Sequence, residues 1–453
     1  MKQPRRGDAE HRGVSFGTIF MCCITVMVVG LTVAILPRLL GKADFRVDVG
    51  QAIAALTLDG SMPALTLSDI PITDATQPPE PAASPEAPQP TATPTPQPQA
   101  TATPAPGGKV TLTLGGSINI DDAIRKSAYY SDSGKYDFTE IMALLPEEMQ
   151  SDLTLVTLEN ITCDAEKVSA VNAPSAVMDM LADAGVDVVA LGFPKAWDKG
   201  KAGALATIEA AQSRGMTTLG LYANDADAKA LRMFTVDHVQ VAFLHYTESV
   251  STAGKKAIQA EGADYALPTT LVSGSAERML ADVRNARKQG ADVVIVSLNW
   301  GTVSASKPTA AQKTLAQQLA DAGADVIVGA GTRVVQPVSW LSSKGEDGSI
   351  RHTLCAWSLG SLINESRKDG NVLGMLLQLQ ISFDGDAISF EKVCYTPTYI
   401  WRYKQDGQYY YRIAVSDQPA PDGMGEDQTG YMEKALRNLQ KYLGDSPVTL
   451  RTR

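Results

Sequence analysis

Histidine is scarce in this chain, with four among 453 residues, at His11, His238, His245 and His352. No HxxxH or HxH spacing joins any two of them, so the helical zinc-hydrolase pattern is excluded. Cysteine is nearly as rare. The five residues include no CxxC pair, which rules out a zinc ribbon, a redox dithiol and a disulfide-dense scaffold. Cys22 and Cys23 lie in an apolar run, and Cys163, Cys355 and Cys394 read as free thiols that pack as small hydrophobes. Basic residues are also in deficit. Forty Lys and Arg stand against 50 Asp and Glu, a net charge of −10, and a general nucleic-acid binder would need the opposite balance. No GxSxG elbow, P-loop or GxGxxG is present, so serine hydrolase, nucleoside triphosphatase and dinucleotide readings have no foothold.

What is present begins with a long hydrophobic run. Residues 16–36 carry no charge and follow Lys2, Arg5, Arg6 and Arg12, which is enough to span a bilayer. The run ends Ala34-Ile35-Leu36-Pro37-Arg38 without a small-x-small cleavage site, so it reads as an uncleaved signal anchor. The expected organisation is a cytoplasmic tail over 1–13, a membrane-spanning helix over 14–36 and a juxtamembrane segment over 37–76. A disordered Pro-rich linker follows over 77–108, with Pro94-Thr95-Pro96-Gln97-Pro98 at its centre. Extended Pro-rich chain rises about 3.1 Å per residue, so such a linker suits a stalk through a cell wall. The globular domain would then be extracytoplasmic, on the far side of a single-pass anchor.

From residue 109 to 445 the composition turns globular, and a short tail is expected over 446–453. Strands over 109–114, 152–158, 186–191, 292–298 and 325–328 alternate with helical patterns over 173–184, 202–214, 275–289 and 309–322. That rhythm predicts a mainly parallel sheet. Beyond Gln336 strands dominate, with a hairpin turn at Asp384-Gly385-Asp386 and a closing amphipathic helix over 430–443. Tyr409-Tyr410-Tyr411 near Trp401 fit either an ordinary edge strand or a sugar-stacking patch.

In open α/β sheets ligands sit beyond the C-terminal ends of the parallel strands. Those ends read Leu114-Gly115-Gly116-Ser117, Leu158-Glu159-Asn160, Gly192-Phe193-Pro194-Lys195, Asn299-Trp300-Gly301 and Gly329-Ala330-Gly331-Thr332-Arg333. With Ala173-Pro174, Asp198 and Gly200, the 321–329 stretch, Gln336-Pro337-Val338 and Trp357-Ser358-Leu359-Gly360-Ser361-Leu362, the sequence resembles the CapA family of poly-gamma-glutamate capsule proteins. That family is similar to the calcineurin-like metallophosphoesterases. The resemblance implies a layered α/β sandwich of that type.

The polar positions depart from the family pattern. Gly-Asp becomes Gly115-Gly116, Asn-Asn-His becomes Phe193-Pro194-Lys195, His-Trp-Gly becomes Asn299-Trp300-Gly301, and the His-rich loop becomes Gly329-Ala330-Gly331-Thr332-Arg333. Of the acidic and imidazole ligands only Glu159 remains, and one carboxylate with Asn299 beside it cannot hold a zinc or manganese ion. The expectation is therefore no metal, no other cofactor and a catalytically degenerate binding or assembly factor for an anionic envelope polymer or its synthesis machinery, the family resemblance implying a polymer of the poly-gamma-glutamate kind. Its ligand-binding residues would be Glu159, Lys195, Asp198, Asn299 and Arg333. Lys195 and Arg333 would project into one cleft as substitutes for the metal charge, beside glycine-rich loops exposing backbone N–H groups. The alternatives are an active hydrolase rearranged around Glu159, Asp198, Asn299 and His245, and a purely structural wall protein.

Overall fold

The computed structural model describes residues 107–266, 275–345, 348–385 and 387–452. The tail, signal anchor, juxtamembrane segment and all of the linker before residue 107 lie outside the described residues, as does Asp386 of the expected turn. Among the described residues no helix is long and apolar enough to cross a membrane.

In chain order the elements are β1 (Gly108–Ile118), α1 (Asp122–Ser127), β2 (Tyr129–Tyr130), β3 (Lys135–Tyr136), α2 (Thr139–Met142), β4 (Leu153–Leu158), α3 (Val177–Asp183), β5 (Val188–Ala190), α4 (Gly200–Gln212) and β6 (Thr217–Leu219). They continue through α5 (Asp225–Lys229), β7 (Arg232–Val236), β8 (Val239–Thr247), α6 (Thr252–Glu261), α7 (Ser275–Lys288), β9 (Val293–Asn299), α8 (Ala310–Ala322), β10 (Val326–Ala330), β11 (Val338–Lys344) and β12 (Ile350–Ala356). The chain closes with β13 (Ser361–Ile363), β14 (Leu373–Phe383), β15 (Ile388–Gln405), β16 (Gln408–Val415), α9 (Glu426–Leu443) and β17 (Thr449–Leu450).

Two large sheets form, where the strand–helix rhythm alone suggested one, and β2 and β3 make a separate small pair. The larger runs β16-β15-β14-β1-β4-β5-β6, with β13 on β1 and β17 on β15, and the smaller runs β11-β12-β10-β9-β8-β7. In the larger, β1-β4-β5-β6 are parallel out to the β6 edge and β14-β15-β16 continue antiparallel on the other side of β1; in the smaller, β8-β9-β10-β12 form a parallel centre flanked by antiparallel β7 and β11. The two large sheets pack face to face. Val110, Leu112 and Leu114 of β1, Leu153 and Leu155 of β4, Phe243 of β8, Val293 and Ile295 of β9 and Val326 of β10 share the layer between them. Alternate residues face outward: Val156 and Leu158 meet α3 and α4, while Val294, Val296 and Ile327 meet α7 and α8. Strands buried on both faces must be apolar at every position, which explains their unbroken hydrophobic runs. The result is a layered α/β sandwich.

α9 begins four residues before its expected start and buries Met432, Ala435, Leu439 and Leu443 against the antiparallel part of the larger sheet. The expected C-terminal tail is part of that sheet, because Thr449 and Leu450 pair with Cys394 and Tyr395, and Val448 and Leu450 pack on its core. Cys163, Cys355 and Cys394 are buried free thiols, and Cys355 in β12 and Cys394 in β15 belong to different sheets.

The glycine pairs expected in exposed loops are packing positions. β1 continues through Gly115-Gly116, with a register break against β4 between Leu114 and Ser117. A Cβ on Gly116 would lie 2.4 Å from the Gly360 carbonyl oxygen, because β13 and its approach pass that close. Gly329 lies within β10, and a Cβ there would sit 1.9 Å from the Trp357 carbonyl oxygen and 2.5 Å from Trp300 Nε1. Those two atoms are hydrogen-bonded to each other at 3.0 Å, and the indoles of Trp300 and Trp357 stack at 5.9 Å. Gly329→Ala would have to displace this pair. Urea denaturation should show a loss of about 3 kcal/mol, at the upper end of ordinary overpacking costs, and an unchanged midpoint would contradict the steric assignment.

Candidate functional site

The two sheets present their polar residues at the same end. Along β4 the positions facing the intersheet layer are Leu153, Leu155, Thr157 and then Glu159; along β9 they are Val293, Ile295, Ser297 and Asn299. Period-two geometry carries the same face from apolar to polar as each strand leaves the core. After its bulge β1 does likewise, through Ser117, Asn119 and Asp121.

Glu159 is the hub. Its Oε1 accepts from Ser117 Oγ and from Asn299 Nδ2, both at 2.9 Å, and its Oε2 accepts from Asn119 Nδ2 at 2.8 Å. The Arg333 guanidinium lies 3.7 Å from Oε2 and 4.0 Å from an Asp121 oxygen. The Glu159 side chain is 9% exposed, so its charge needs these partners. Asp121 accepts from the Glu365 backbone N–H at 3.2 Å. Burial holds its carboxyl above the usual value, opposed by that N–H and by Arg333. Arg333 occupies the left-handed region, φ 60°, which costs a non-glycine residue about 1–2 kcal/mol. Asn371 Nδ2 secures that backbone by donating to the Arg333 carbonyl at 3.2 Å.

Gly331 does not offer a free N–H, since it donates to Ser117 Oγ at 3.3 Å. Glu248 holds the adjacent turn: its N–H donates to the Asn299 carbonyl at 2.8 Å and its carboxylate accepts from the Gly301 N–H. Two buried atoms of the cluster, Asn119 Oδ1 and Arg333 Nε, have no hydrogen-bond partner. One acceptor and one donor therefore remain uncommitted.

Of the residues singled out from sequence, the structure brings together Glu159, Asn299 and Arg333. Lys195 is exposed and, among the described residues, forms no ion pair within 4.0 Å. Asp198 accepts from the Ser251 hydroxyl, the N-cap of α6, and so ties the β5 loop to that helix. The fixed charge at Glu159 is accordingly one guanidinium against the two carboxylates of Glu159 and Asp121, rather than two cations against one. Ser117, Asn119, Asp121 and Glu248 escaped the sequence reading, although the alternation Ser117, Asn119, Asp121 beyond an apolar strand was the available signal.

His245 is enclosed. It lies on the intersheet face of β8, is 1% exposed, and its ring fits because Gly192 and Gly220 lack a Cβ, which would come within 2.6 and 2.2 Å of His245 Cδ2. Its Nε2 is 2.8 Å from the Gly192 carbonyl and its Nδ1 is 2.9 Å from Ser297 Oγ. A carbonyl only accepts, so Nε2 carries the proton and Nδ1 accepts from the serine. Burial lowers the pKa to about 4, and both nitrogens are committed to the scaffold. A catalytic role in a rearranged hydrolase site has no free ring nitrogen to draw on.

A divalent metal of the kind the metallophosphoesterase resemblance implies does not fit these donors. No group of three or more His, Cys, Asp or Glu able to hold one occurs among the described residues. Both oxygens of Glu159 are already engaged by amide, hydroxyl and guanidinium donors, whose hydrogens point where a cation would have to sit. A cavity of about 1,110 Å³ lined by Asp325, Trp340, Arg351 and Phe390 opens at the opposite end of β9 and β10, away from this cluster.

Residues 111–366 match the family described as bacterial capsule synthesis protein PGA_cap. The capsule biosynthesis protein CapA of Bacillus anthracis is 28% identical over 172 residues, which is 38% of this chain and 41% of that protein. The chain thus matches less than half the length of this relative. Similar solved structures include a hypothetical protein from Thermus thermophilus, with 16% identity, TM-score 0.36, and 64% of this chain and 98% of that one covered. Another is a novel phosphatase from Mycoplasma pneumoniae, with 13% identity, TM-score 0.35, and 64% and 93% covered.

The enclosure of His245 has a consequence for acid stability. Its pKa is about 4 when folded and near 6.5 when exposed, so unfolding takes up a proton between those values. The stability it confers is complete above pH 6.5 and is lost as pH falls toward 4. Urea titrations should lose roughly 2 kcal/mol from this residue between pH 7 and pH 5, a dependence that His245→Gln removes. An identical pH profile in the variant would show that the ring is not held neutral.

Proposed function

Because the chain belongs to the bacterial capsule synthesis protein family, we propose that it serves capsule or cell-envelope polymer synthesis as a membrane-anchored binding or assembly factor whose metal-dependent hydrolase site has been replaced. The polymer would be an acidic chain of the poly-gamma-glutamate type. One observation carries this reading: the carboxylate at the strand ends, Glu159, is satisfied by Ser117, Asn119, Asn299 and Arg333, leaving no vacant ligand set for a hydrolytic metal.

The replacement makes physical sense. A partly buried carboxylate without a counter-charge is costly, and a guanidinium supplies that charge with planar, directional donors. Three neutral donors then fix the orientation of Glu159. The two unpartnered atoms, Asn119 Oδ1 and Arg333 Nε, are themselves buried, and no group of this cluster can activate water as a metal does.

Metal analysis of the purified full chain tests this, together with hydrolysis assays on poly-gamma-glutamate and on phosphoesters in the presence of zinc or manganese. The expected result is less than one metal ion per chain and no turnover above a Glu159→Ala control. Stoichiometric metal with hydrolysis that Glu159→Ala abolishes would instead establish the rearranged hydrolase.

The anchor rests on the uncharged run over 16–36 and its basic flank. Protease added to wall-stripped cells should cut in the Pro-rich tract and release the globular domain. Full protection would place the domain on the cytoplasmic side.

A further inference from the structure

α9 packs against β14 and β15 along one face and leaves a cavity of about 370 Å³ beside β15. Arg367, Arg402 and Lys434 line it, and the one lining carboxylate, Asp369, pairs with Lys434 at 2.9 Å. Without Arg402, whose guanidinium is directed to Tyr409 and Tyr411, the lining side chains carry a formal charge of about +1, in a chain whose net charge is −10.

Neutral groups position the two arginines without cancelling their charge. Arg367 donates to the Ile400 carbonyl at 3.1 Å, whereas Arg402 meets α9 through its carbonyl, which accepts from Gln428 Nε2 at 3.1 Å, while its guanidinium lies 4.4 Å from the centroid of the Tyr409 ring on the other face of the sheet. Neither has a carboxylate within 4.0 Å among the described residues. The loop bearing Arg367 is pinned, since Asn364 Nδ2 donates to the Asn371 carbonyl at 2.8 Å. At the rim Tyr431 is 62% exposed, and Asn438 adds an amide.

We infer that this cavity is a binding subsite for a carboxylate of an acidic polymer, with Arg367 gripping the anion and Lys434 adding charge at the rim. Arginine forks match carboxylates with two parallel hydrogen bonds, and the volume lies in the range that holds small ligands. The identity of the polymer rests on the function proposed above; the anion site does not. Glu159, Asp121 and Arg333 are not among the residues lining the cavity, so an acidic chain need not displace the Arg333 pairing to bind.

Binding of a labelled poly-gamma-glutamate oligomer to the full chain tests the inference, measured by fluorescence anisotropy at low and physiological salt. The variants are Arg367→Gln with Lys434→Gln, and Arg437→Gln as a control on the same helix, where the side chain is 66% exposed and pairs with Glu433. The double variant should bind at least roughly tenfold more weakly, as expected for losing a hydrogen bond to a charged group, with a shallower salt dependence. The control should bind like the wild type. Equal binding by the wild type and the double variant would overturn the subsite while leaving the polymer reading intact. If the wild type ignores the polymer but binds a short dicarboxylate, and the double variant loses that binding, the anion site stands and the polymer reading falls. Absence of both interactions, or displacement by inorganic phosphate as effective as by the dicarboxylate, would overturn the carboxylate assignment.

Discussion

Everything in this domain hangs on the apolar layer shared by two face-to-face sheets. Residues such as Leu112, Leu155, Phe243 and Ile295 are 0–2% exposed, and each large side chain so buried contributes about 1.5–3 kcal/mol. The layer also decides where polar groups can gather. A strand that faces the layer at alternate positions must stay apolar until it emerges, and the first polar residues on that face then meet their counterparts from the other sheet. Glu159 from β4 and Asn299 from β9 come within 2.9 Å for that reason, although 140 residues separate them in the chain.

The hub that results balances a charge against its surroundings. Glu159 is nearly buried, yet three neutral donors and one guanidinium surround it. Asp121 is less well provided for: it shares Arg333 at the limit of an ion pair, and burial dominates its environment. One cation thus serves two carboxylates, and the local charge is negative. Arg367 and Lys434 line a separate cavity beside α9. Distributing the charges this way separates the group that holds the strand ends together from the groups available to an acidic ligand.

Much of this was legible in the sequence wherever one physical cause acted alone. β4, β5, β9 and β10 announced themselves because burial on both faces demands continuous hydrophobicity. α8 was marked by Thr309, whose capping box with Gln312 is present in full. β15 was harder. Its 18 residues include Pro397, ordinarily a sign against a central strand. Pro397 stands where β16 has already ended at Val415, and its carbonyl still accepts from the Ser416 N–H at 2.9 Å, so no ladder bond is lost on that side. The division into two sheets was not legible, because local periodicity does not record which strands become neighbours. In the site, residue types identified Glu159, Asn299 and Arg333, whereas Lys195 and Asp198 shared a motif with them but point their chemistry to solvent and to Ser251.

The same motifs therefore contain two kinds of constraint. Gly116, Gly329 and Gly360 sit where neighbouring backbone passes within about 3 Å of any added Cβ, so the fold requires them whatever the site does. The polar positions between them face no such limit, and only their mutual charge balance must be kept. For this chain the functional argument has to come from Glu159, Arg333 and their hydrogen-bond partners, and from the cationic cavity beside α9, rather than from the framework that carries them.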